Sequence, residues 1–365
     1  MNRAYRFRIY PTGEQEILIH KTFGCCRFVY NHMLADKKQA YEETKKTIRI
    51  TPAAYKKEYP WLKEVDSLAL ANEQLHLESA YRKFFQEQKA GFPKFKSKHG
   101  SRKSYTTNVV NGNIRISEGR LRLPKVGTVR MRQHREIPAG WILKSVTVSM
   151  EPSGKYHASL LFSSGSCENQ AGNVREKKVL GIDYAMHGMA VLSTGEKCGN
   201  PGYYRQAQKR LAREQRKLSH CQKGSRNYQK QKRKAAQCHE KVRNQRKDYL
   251  HKLSFRLAGE YDAVAVEDLD LKAMSRGLNF GKSVMDNGYG SFLNMLSYKL
   301  EERGKVLVKT DRFYPSSKKC SKCGKVKETL ALSERIYHCS CGNHMDRDVN
   351  AAINIREEGK RLLCA

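Results

Sequence analysis

Three segments of the sequence carry acidic residues where apolar strands end or where a helix begins. Asp183 closes the apolar run Val-Leu-Gly-Ile-Asp, and Glu267 closes the run Ala-Val-Ala-Val-Glu. Asp346 and Asp348 lie in Met-Asp-Arg-Asp-Val-Asn, at the predicted start of the last helix. A carboxylate that closes an apolar strand must be exposed, paired or bound to a metal, because burying it alone costs free energy.

Three carboxylates at the carboxyl ends of one sheet could hold two divalent ions. Two ions about 4 Å apart activate a water and stabilise the leaving oxygen of a phosphodiester. Oxygen ligands favour Mg²⁺ or Mn²⁺. Each acid taken alone also fits a surface group, and Asp348 also fits a helix N-cap. The ordered set of Asp, Glu and Asp, with basic helices between the first two, favours the metal site.

A second group of residues with metal-binding chemistry lies near the C-terminus. Four of the eleven cysteines have the spacing C-x₂-C-x₁₅-C-x-C, at Cys320, Cys323, Cys339 and Cys341. Four thiolates suit tetrahedral Zn²⁺ and predict a structural site. The one-residue gap in the second pair leaves room for His338 or His344 to replace one thiolate. The other seven cysteines are scattered, which indicates a reducing cytosol and not a disulfide framework.

The first half of the chain must fold around a sheet. Residues 4–10 alternate polar and apolar side chains, which predicts a half-buried strand. Thr12 and Gln15 form a capping-box pattern that opens a helix, and a second helix is predicted from Asp66 to Gln88. Short strands at this spacing predict a small barrel, which the first strand would join, so that the two helices are an insertion in the barrel. The further strands are predicted at Asn113–Ile116, Arg120–Leu123, Thr128–Gln133, Ile142–Met150 and Tyr156–Phe162.

The second half alternates strands with helices, which predicts an α/β core. The polar segment Ser164–Lys177 is the predicted boundary, and His187-Gly188 is a predicted turn. Residues 201–257 are predicted to be long helices. Strands are expected at Val179–Tyr184, Met189–Ser193, Ala263–Glu267 and Val306–Lys309, and helices at Ser291–Glu302 and Asn350–Glu357.

The net charge indicates a polyanionic partner. The 365 residues include 70 Lys and Arg against 36 Asp and Glu, a formal net charge of +34. Nucleic acid is the first candidate partner and an anionic membrane surface the second. A hydrophobic fraction of 39% excludes a wholly disordered basic tail. The sequence shows neither a secretory signal nor an apolar run long enough to span a bilayer, so we expect a cytoplasmic protein.

The predicted helices between Arg205 and Lys252 concentrate this charge. They hold 17 Lys and Arg and only 3 acidic residues. A solvated helix without a partner usually mixes both charge signs, so contact with a phosphate backbone is the favoured interpretation. Such contacts carry no sequence information by themselves. The candidates for these contacts are Lys232, Arg233, Lys234, Arg246 and Lys247.

Taken together, the motifs resemble those of the TnpB family, whose members are encoded by bacterial insertion-sequence transposons and are related to type V CRISPR effectors. The resemblance covers nearly the whole chain, and its main matching segments are short. They are Gly-Ile-Asp183, Val-Glu267-Asp-Leu, Asp311-Arg-Phe-Tyr-Pro-Ser-Ser-Lys-Lys-Cys320-Ser-Lys-Cys323-Gly and Cys341-Gly-Asn-His-Met-Asp-Arg-Asp348-Val-Asn.

The resemblance implies an α+β multidomain fold. Residues 1–14 and 93–170 would form a wedge-type β-barrel, and residues 15–92 an inserted helical recognition domain. Residues 171–317 and 343–365 would form an α/β nuclease domain of the RuvC and RNase H type. Residues 318–342 would be a zinc ribbon inserted in that nuclease domain.

The resemblance also implies an RNA-guided, Mg²⁺-dependent DNA endonuclease with Asp183, Glu267 and Asp348 as its catalytic and metal-binding residues. Asp348 is chosen over Asp346 because the family motif places the ligand two residues before an Asn. A guide RNA from the transposon end would pair with target double-stranded DNA, while the protein reads a short flanking motif. Tyr105, Thr107 and Asn108 are expected near that motif.

Two other functions remain open from the sequence. One is an RNA-guided DNA-binding repressor without nuclease activity, which descends from the same family by loss of the acidic residues. All three acids are present here. The other is a DDE-type transposase, which joins strands and needs no guide RNA.

Overall fold

The computed structural model of the protein describes residues 2–87, 90–164, 178–185, 188–277, 286–331 and 333–364. The chain divides into two compact units, residues 1–167 and 168–365. Residues 165–177 of the predicted boundary segment, and His187 of the predicted turn, lie outside the described residues. Among the helices of the described residues, none is both long enough and apolar enough to cross a bilayer.

In its described residues the first unit holds seven strands in one antiparallel sheet, with helices between β1 and β2. The sheet has the strand order β2-β6-β7-β1-β5-β4-β3. Its strands are β1 (Asn2–Tyr10), β2 (Lys103–Asn108), β3 (Arg115–Ser117), β4 (Arg120–Leu123), β5 (Gly127–Arg132), β6 (Ile142–Met150) and β7 (Tyr156–Ser163). Its helices are α1 (Gly13–Thr44), α2 (Tyr55–Glu58), a 3₁₀ helix (Pro60–Glu64) and α3 (Ser67–Gln86).

The start of the chain folds as its pattern predicts. Tyr5, Phe7 and Ile9 are buried on one face of β1, as expected from the alternation. Thr12 then caps α1 in a complete capping box, since its hydroxyl accepts from the Gln15 amide while the Gln15 side chain accepts from the Thr12 amide. Strand β1 lies between β5 and β7 and anchors the sheet.

The helices and the sheet of this unit share one hydrophobic core. Ile19 and Phe23 of α1 belong to the same buried cluster as Tyr105 of β2 and Val148 of β6. Within the described residues, the strand pairing ends at β2 on one side and at β3 on the other. The hydrogen-bonded order is therefore that of an open sheet, and closure into a barrel stays a prediction.

The second unit is an α/β layer structure with a small appended hairpin. Its main sheet has the order β10-β9-β8-β11-β12, and β13 pairs with β14 separately. Its strands are β8 (Val179–Tyr184), β9 (Ala190–Leu192), β10 (Lys197–Cys198), β11 (Ala263–Glu267), β12 (Val306–Thr310), β13 (Ile336–His338) and β14 (His344–Asp346). Its helices are α4 (Tyr203–Ser219), α5 (Arg226–Glu260), α6 (Leu271–Gly277), α7 (Tyr289–Glu301) and α8 (Arg347–Cys364).

Strands β8, β11 and β12 of this sheet are parallel, and β11 lies between the other two. Helix α8 lies directly against them at a position where only glycine fits. A Cβ atom added at Gly181 of β8 would lie 2.0 Å from the carbonyl oxygen of Ala352. A Cβ atom at Gly359 would likewise meet the side chain of Ala265 at 2.3 Å. Two glycines therefore allow the close approach of α8 to β8 and β11.

Candidate active site and metal centre

The sheet register brings Asp183 and Glu267 to the same level. Ile182 of β8 pairs with Val266 of β11 in a parallel ladder, and each acid is the next residue of its strand. Adjacent strands lie about 4.8 Å apart, and residues at the same level point to the same face of the sheet. Both carboxylates therefore lie at the carboxyl edge of the two central strands, where ligands of open α/β sheets bind.

Helix α8 brings Asp348 to this edge. The turn of α8 that contains Ala352 lies over Gly181, so the preceding turn, with Asp348, lies near the end of β8. The charge of Asp348 acts on Asp183, as does that of Glu267. The structure thus brings together the three acids that the sequence selected.

The N-cap of α8 is Asp346, and the alternative role of Asp348 as a cap is wrong. Oδ1 of Asp346 accepts hydrogen bonds from the amides of Asp348 and Val349, at 3.0 and 3.2 Å. Its other oxygen accepts from Nζ of Lys197 at 2.6 Å. Asp348 is the second residue of α8, and its side chain does not serve as the cap. The sequence could not separate the two acids because both precede the same apolar run.

The environment of Asp183 and Glu267 disfavours their charged forms. Burial raises the pKa of Asp183 well above its usual value, and the charges of Glu267 and Asp348 raise it further, while Arg347 acts in the opposite direction. Burial also raises the pKa of Glu267. Such a set of partly buried like charges fits a bound divalent cation, which supplies the missing positive charge.

The acids are close but do not form a tight cluster. Among the described residues, the four cysteines are the one set of His, Cys, Asp and Glu side chains whose ligand atoms all lie within 4.8 Å of one another. The three carboxylates are therefore spread more widely than the thiols. A wider spread is compatible with two ions about 4 Å apart, each bound by a different subset of oxygens.

Sequence reasoning assigned no role to two residues beside the acids. The hydroxyl of Ser316 donates a hydrogen bond to Oε1 of Glu267 and lowers the pKa of that carboxyl against the effect of burial. Tyr289, at the start of α7, is 1% exposed, and its hydroxyl has no hydrogen-bond partner among the described residues. Its ring packs against Tyr184, the neighbour of Asp183, with 4.7 Å between ring centroids.

The signal for Ser316 was present in the sequence, since it lies in the segment between Asp311 and Cys320 that resembles the family. The role of the hydroxyl could not be read there, because the contact with Glu267 joins residues 49 positions apart. Tyr289 carried no such signal. Its position beside the acids depends on how α7 packs on the sheet.

The four cysteines form a compact set of thiols that could hold a metal ion. Sγ of Cys320 lies 3.6 Å from Sγ of Cys341, and Sγ of Cys323 lies 3.6 Å from Sγ of Cys339. A tetrahedral zinc with bonds of about 2.3 Å requires sulfur atoms about 3.8 Å apart. Both pairs are followed by a glycine with positive φ, Gly324 at 79° and Gly342 at 82°. The donor set therefore fits zinc despite the shorter second pair.

Neither histidine replaces a thiol in this arrangement. His338 and His344 face each other across strands β13 and β14, with 4.3 Å between ring centroids, and both are exposed. Burial opposes ionisation of Cys320, but the amides of Cys323 and Lys322 and the side chain of Asn343 lower its pKa to about 6. These hydrogen bonds favour the thiolate, which is the form that binds metal.

Asparagines of α8 join the cysteine loop to the acidic edge. Asn350, two residues after Asp348, is fully buried; its amide nitrogen donates to the carbonyl of Lys319 at 2.7 Å and its oxygen accepts from the Ser321 amide at 3.0 Å. Asn354 donates to the carbonyl of Ser316 at 2.8 Å. Helix α8 therefore carries Asp348 and also holds two other segments in place: Ser316, which contacts Glu267, and the loop of the first cysteine pair.

Helices α4 and α5 present the predicted basic surface. Lys232, Arg233 and Lys234 of α5 are exposed, as a phosphate contact requires, and so is Lys247. Arg246 differs, because its guanidinium pairs with buried Asp286 at 3.1 Å and has a structural partner of its own. A groove of about 800 Å³ between the two helices is lined by basic side chains, among them Arg210, Lys217, Lys234 and Lys241.

The residues proposed for the flanking DNA motif are largely inside the first unit. Tyr105 and Thr107 are 2% and 0% exposed, and the Thr107 hydroxyl donates to Asp66, the N-cap of α3. Asn108 is half-buried. In this arrangement Tyr105 and Thr107 cannot present their side chains to DNA. A groove of about 330 Å³ beside β2 is lined by exposed cations instead, among them Lys98, Arg102 and Lys103.

Three family profiles match successive parts of the chain. Residues 163–277 match OrfB_IS605, described as "Probable transposase", and residues 289–355 match the "Cas12f1-like, TNB domain". Residues 1–46 match a "Helix-turn-helix domain" of the same OrfB group. In the structure this last segment forms β1 and the single continuous helix α1, so its description does not match the observed elements.

Whole proteins are also similar to this chain. "Putative RNA-guided DNA endonuclease" of Streptomyces pristinaespiralis is 36% identical over 98% of this chain and 90% of that protein. "Putative RNA-guided DNA endonuclease InsQ" of Escherichia coli K12 is 31% identical over 99% of this chain and 93% of that protein. The fold is similar to that of a Cas12f1-sgRNA-target DNA complex, with a TM-score of 0.60, 13% identity and 98% of both chains covered. As the sequence motifs predicted, the chain belongs to the TnpB family.

Proposed function

We propose that this protein is an RNA-guided endonuclease that cuts double-stranded DNA beside a short transposon-associated motif by metal-dependent hydrolysis. The observation that carries the proposal is the meeting of Asp183, Glu267 and Asp348 at the carboxyl edge of β8 and β11. Three partly buried acids in one place cost free energy unless a cation compensates them, and a two-metal site of this kind hydrolyses phosphodiesters. The names of the two bacterial relatives agree with this activity.

Each acid has a distinct support from its surroundings. Asp183 is held by the central strand β8, Glu267 by β11 and the Ser316 hydroxyl, and Asp348 by the first turn of α8. These residues would hold Mg²⁺ or Mn²⁺, which activate a water and stabilise the leaving oxygen when bound. Water is the nucleophile, so no covalent bond forms between protein and DNA.

The basic surface of α4 and α5 would bind the nucleic-acid backbone. Lys232, Arg233 and Lys234 neutralise phosphates without reading bases, and the guide RNA supplies the sequence by pairing with one DNA strand. The charge of +34 fits a large polyanionic partner of this kind. Recognition of the flanking motif is assigned to the first unit, the proposed wedge-type barrel with its helical insertion.

The second unit would be a nuclease domain of the RuvC type with an inserted zinc ribbon. The thiols of the four cysteines and their 3.6 Å spacings support a structural zinc. A site with four protein ligands is closed, so it leaves no position for substrate. The cysteine centre therefore supports the fold of the loop and takes no part in the chemistry.

The test is cleavage of a matched plasmid by the purified protein and guide RNA complex in Mg²⁺. Wild type should make double-strand breaks, and Asp183→Ala should abolish them. Asp262→Asn is the matched control. Asp262 immediately precedes β11, so it lies at the amino end of the strand whose carboxyl end carries Glu267. This control should cut normally.

Three results would refute the proposal. Occupancy of the target without breaks would favour the repressor function. Strand joining that survives RNase treatment would favour the transposase. Cutting that persists in Asp183→Ala would show that the acidic site is assigned wrongly.

A further inference from the structure

The loop between β12 and the first cysteine pair presents a large apolar side chain to solvent. Of the large apolar residues in the described ranges, Phe313 is the most exposed, at 87%. Burying a phenylalanine side chain is worth about 1.5–3 kcal/mol, so full exposure forgoes that stabilisation. An isolated exposed residue needs no explanation in general. Phe313 differs from such a residue because its loop is attached to the acidic edge.

The backbone on both sides of Phe313 is fixed to the acidic edge. Its own amide donates to Oδ1 of Asp311 at 2.7 Å. On one side, the guanidinium of Arg312 contacts the carbonyl and carboxylate of Asp268, the residue after Glu267, at 3.3 and 3.4 Å. On the other side, the Ser316 hydroxyl binds Glu267 itself. The loop that carries the exposed ring is therefore attached to the acidic edge within a few residues of Phe313.

The segment that carries Phe313 is strongly positive. Residues 309–327 contain seven Lys and Arg and one acidic residue, Asp311. An exposed aromatic ring in a cationic segment is the combination that binds single-stranded nucleic acid, because a base stacks on the ring while the phosphates contact the cations. A protein partner is disfavoured, since charged residues are depleted at the cores of protein interfaces.

We propose that Phe313 is a stacking platform for one base of the single-stranded DNA whose phosphodiester is cut at Asp183, Glu267 and Asp348. The inference rests on the nuclease function proposed above. The occupant is a single strand because bases within a duplex are already stacked on their neighbours. Stacking does not depend on base identity, so Phe313 positions the strand without adding sequence preference.

The experiment is an abasic scan across the cut site. Matched DNA carries one abasic nucleotide at successive positions of the cut strand, and single-turnover cleavage is measured with the guide RNA complex of wild type, Phe313→Ala and Phe313→Trp. Wild type should lose about 5- to 150-fold in rate at one position near the cut, as expected for one stacked base. Phe313→Ala should be slower on intact DNA by a similar factor and should lose nothing more at that position. Phe313→Trp should behave as wild type.

A control separates stacking from a general loss of aromatic surface. Phe255, in the same unit, is 62% exposed, and Phe255→Ala should keep the position-specific abasic loss. Equal rates for wild type and Phe313→Ala on intact DNA would overturn the stacking proposal alone. So would a Phe313→Ala enzyme that remains sensitive at the same abasic position. A wild-type complex that cuts no matched DNA would overturn the nuclease function, and this inference with it.

Discussion

The hydroxyl of Ser316 donates a hydrogen bond to the carboxylate of Glu267, across the loop that follows β12. The carbonyl of Ser316 is in turn held by the side chain of Asn354 at 2.8 Å. The donor is therefore fixed from α8 and orients one oxygen of Glu267. Partners of this kind decide how a metal-binding carboxylate points.

Ser316→Ala should weaken metal binding at the acidic edge. Loss of an orienting hydrogen bond to a metal ligand typically costs about 10- to 100-fold in metal affinity or activity. The Mg²⁺ concentration for half-maximal cleavage should rise, and Ser316→Thr should restore it because the hydroxyl is kept. Ser317→Ala is the neighbouring control. An unchanged Mg²⁺ titration for Ser316→Ala would contradict the role of this hydroxyl.

Asp183→Asn should stabilise the protein in EDTA while abolishing cleavage. Burial and the neighbouring acids raise the pKa of Asp183 in the folded state, so from about pH 4 upward the folded state binds more protons than the unfolded one. Stability then falls as pH rises through that window. The gain in thermal unfolding temperature should be larger at pH 8 than at pH 5. Asp262→Asn should show no such gain in unfolding temperature. An equal gain for Asp183→Asn at both pH values would show that it does not come from the ionised carboxylate of Asp183.

Gly181→Ala should destabilise the second unit and displace Asp348. The new Cβ atom would overlap the Ala352 carbonyl at 2.0 Å, and both atoms belong to backbone-fixed elements. Overpacking of this kind costs about 1–3 kcal/mol. Urea unfolding measures the loss, and cleavage should fall with it. Gly259→Ala is the control, since a Cβ there meets nothing within 4 Å; normal stability of Gly181→Ala would show that α8 yields freely.

Cys320→Ser should remove one zinc per chain and destabilise the second unit. Metal binding to the folded form is part of the folding free energy of such sites. Metal analysis and thermal unfolding, with and without a chelator, measure both effects. Cys364→Ser is the control because Cys364 is exposed at the end of α8. A Cys320→Ser protein that retains its zinc would show that this thiol is not a ligand.

The basic residues of α5 should divide into two groups. Replacing Lys232, Arg233 and Lys234 by Ala should weaken RNA binding and reduce the slope of log affinity against log salt by about 2, since each lost phosphate contact removes about 0.7–0.9. Stability should hardly change because these side chains are exposed. Arg246→Ala should instead lower stability, because it leaves Asp286 buried without its cation. Equal salt slopes for wild type and the triple variant would exclude phosphate contact at this stretch.

The sequence was sufficient for features that depend on local patterns. The limits of β8 and β11 follow from short apolar runs that end in an acid, and the capping box of α1 follows from Thr12 and Gln15 alone. Once two strands are parallel neighbours, the meeting of their terminal acids follows from the register. The cysteine set follows from spacing.

The sequence was insufficient where a residue's role depends on a distant partner. The alternation of side chains in β2 predicts that Tyr105 and Thr107 share one face of the strand. It does not predict that this face packs against the core. Burial of Thr107 depends on Asp66, 41 residues away. The choice between Asp346 and Asp348 as cap depends on the exact first turn of α8. Arg246 looks like its basic neighbours until Asp286 is placed beside it.

The buried asparagines of α8 make the cysteine loop and the acidic edge one mechanical unit. Asn350 forms hydrogen bonds with the backbone of Lys319 and Ser321 in the cysteine loop, and Asp348 lies two residues earlier on the same helix. A ligand that orders the cysteine loop should therefore also restrict the conformational freedom of Asp348. Where zinc binding raises the metal affinity of the acids by some factor, metal binding at the acids raises zinc affinity by the same factor. We therefore expect zinc at the cysteines and a divalent ion at the acids to bind cooperatively, although the two sites share no ligand.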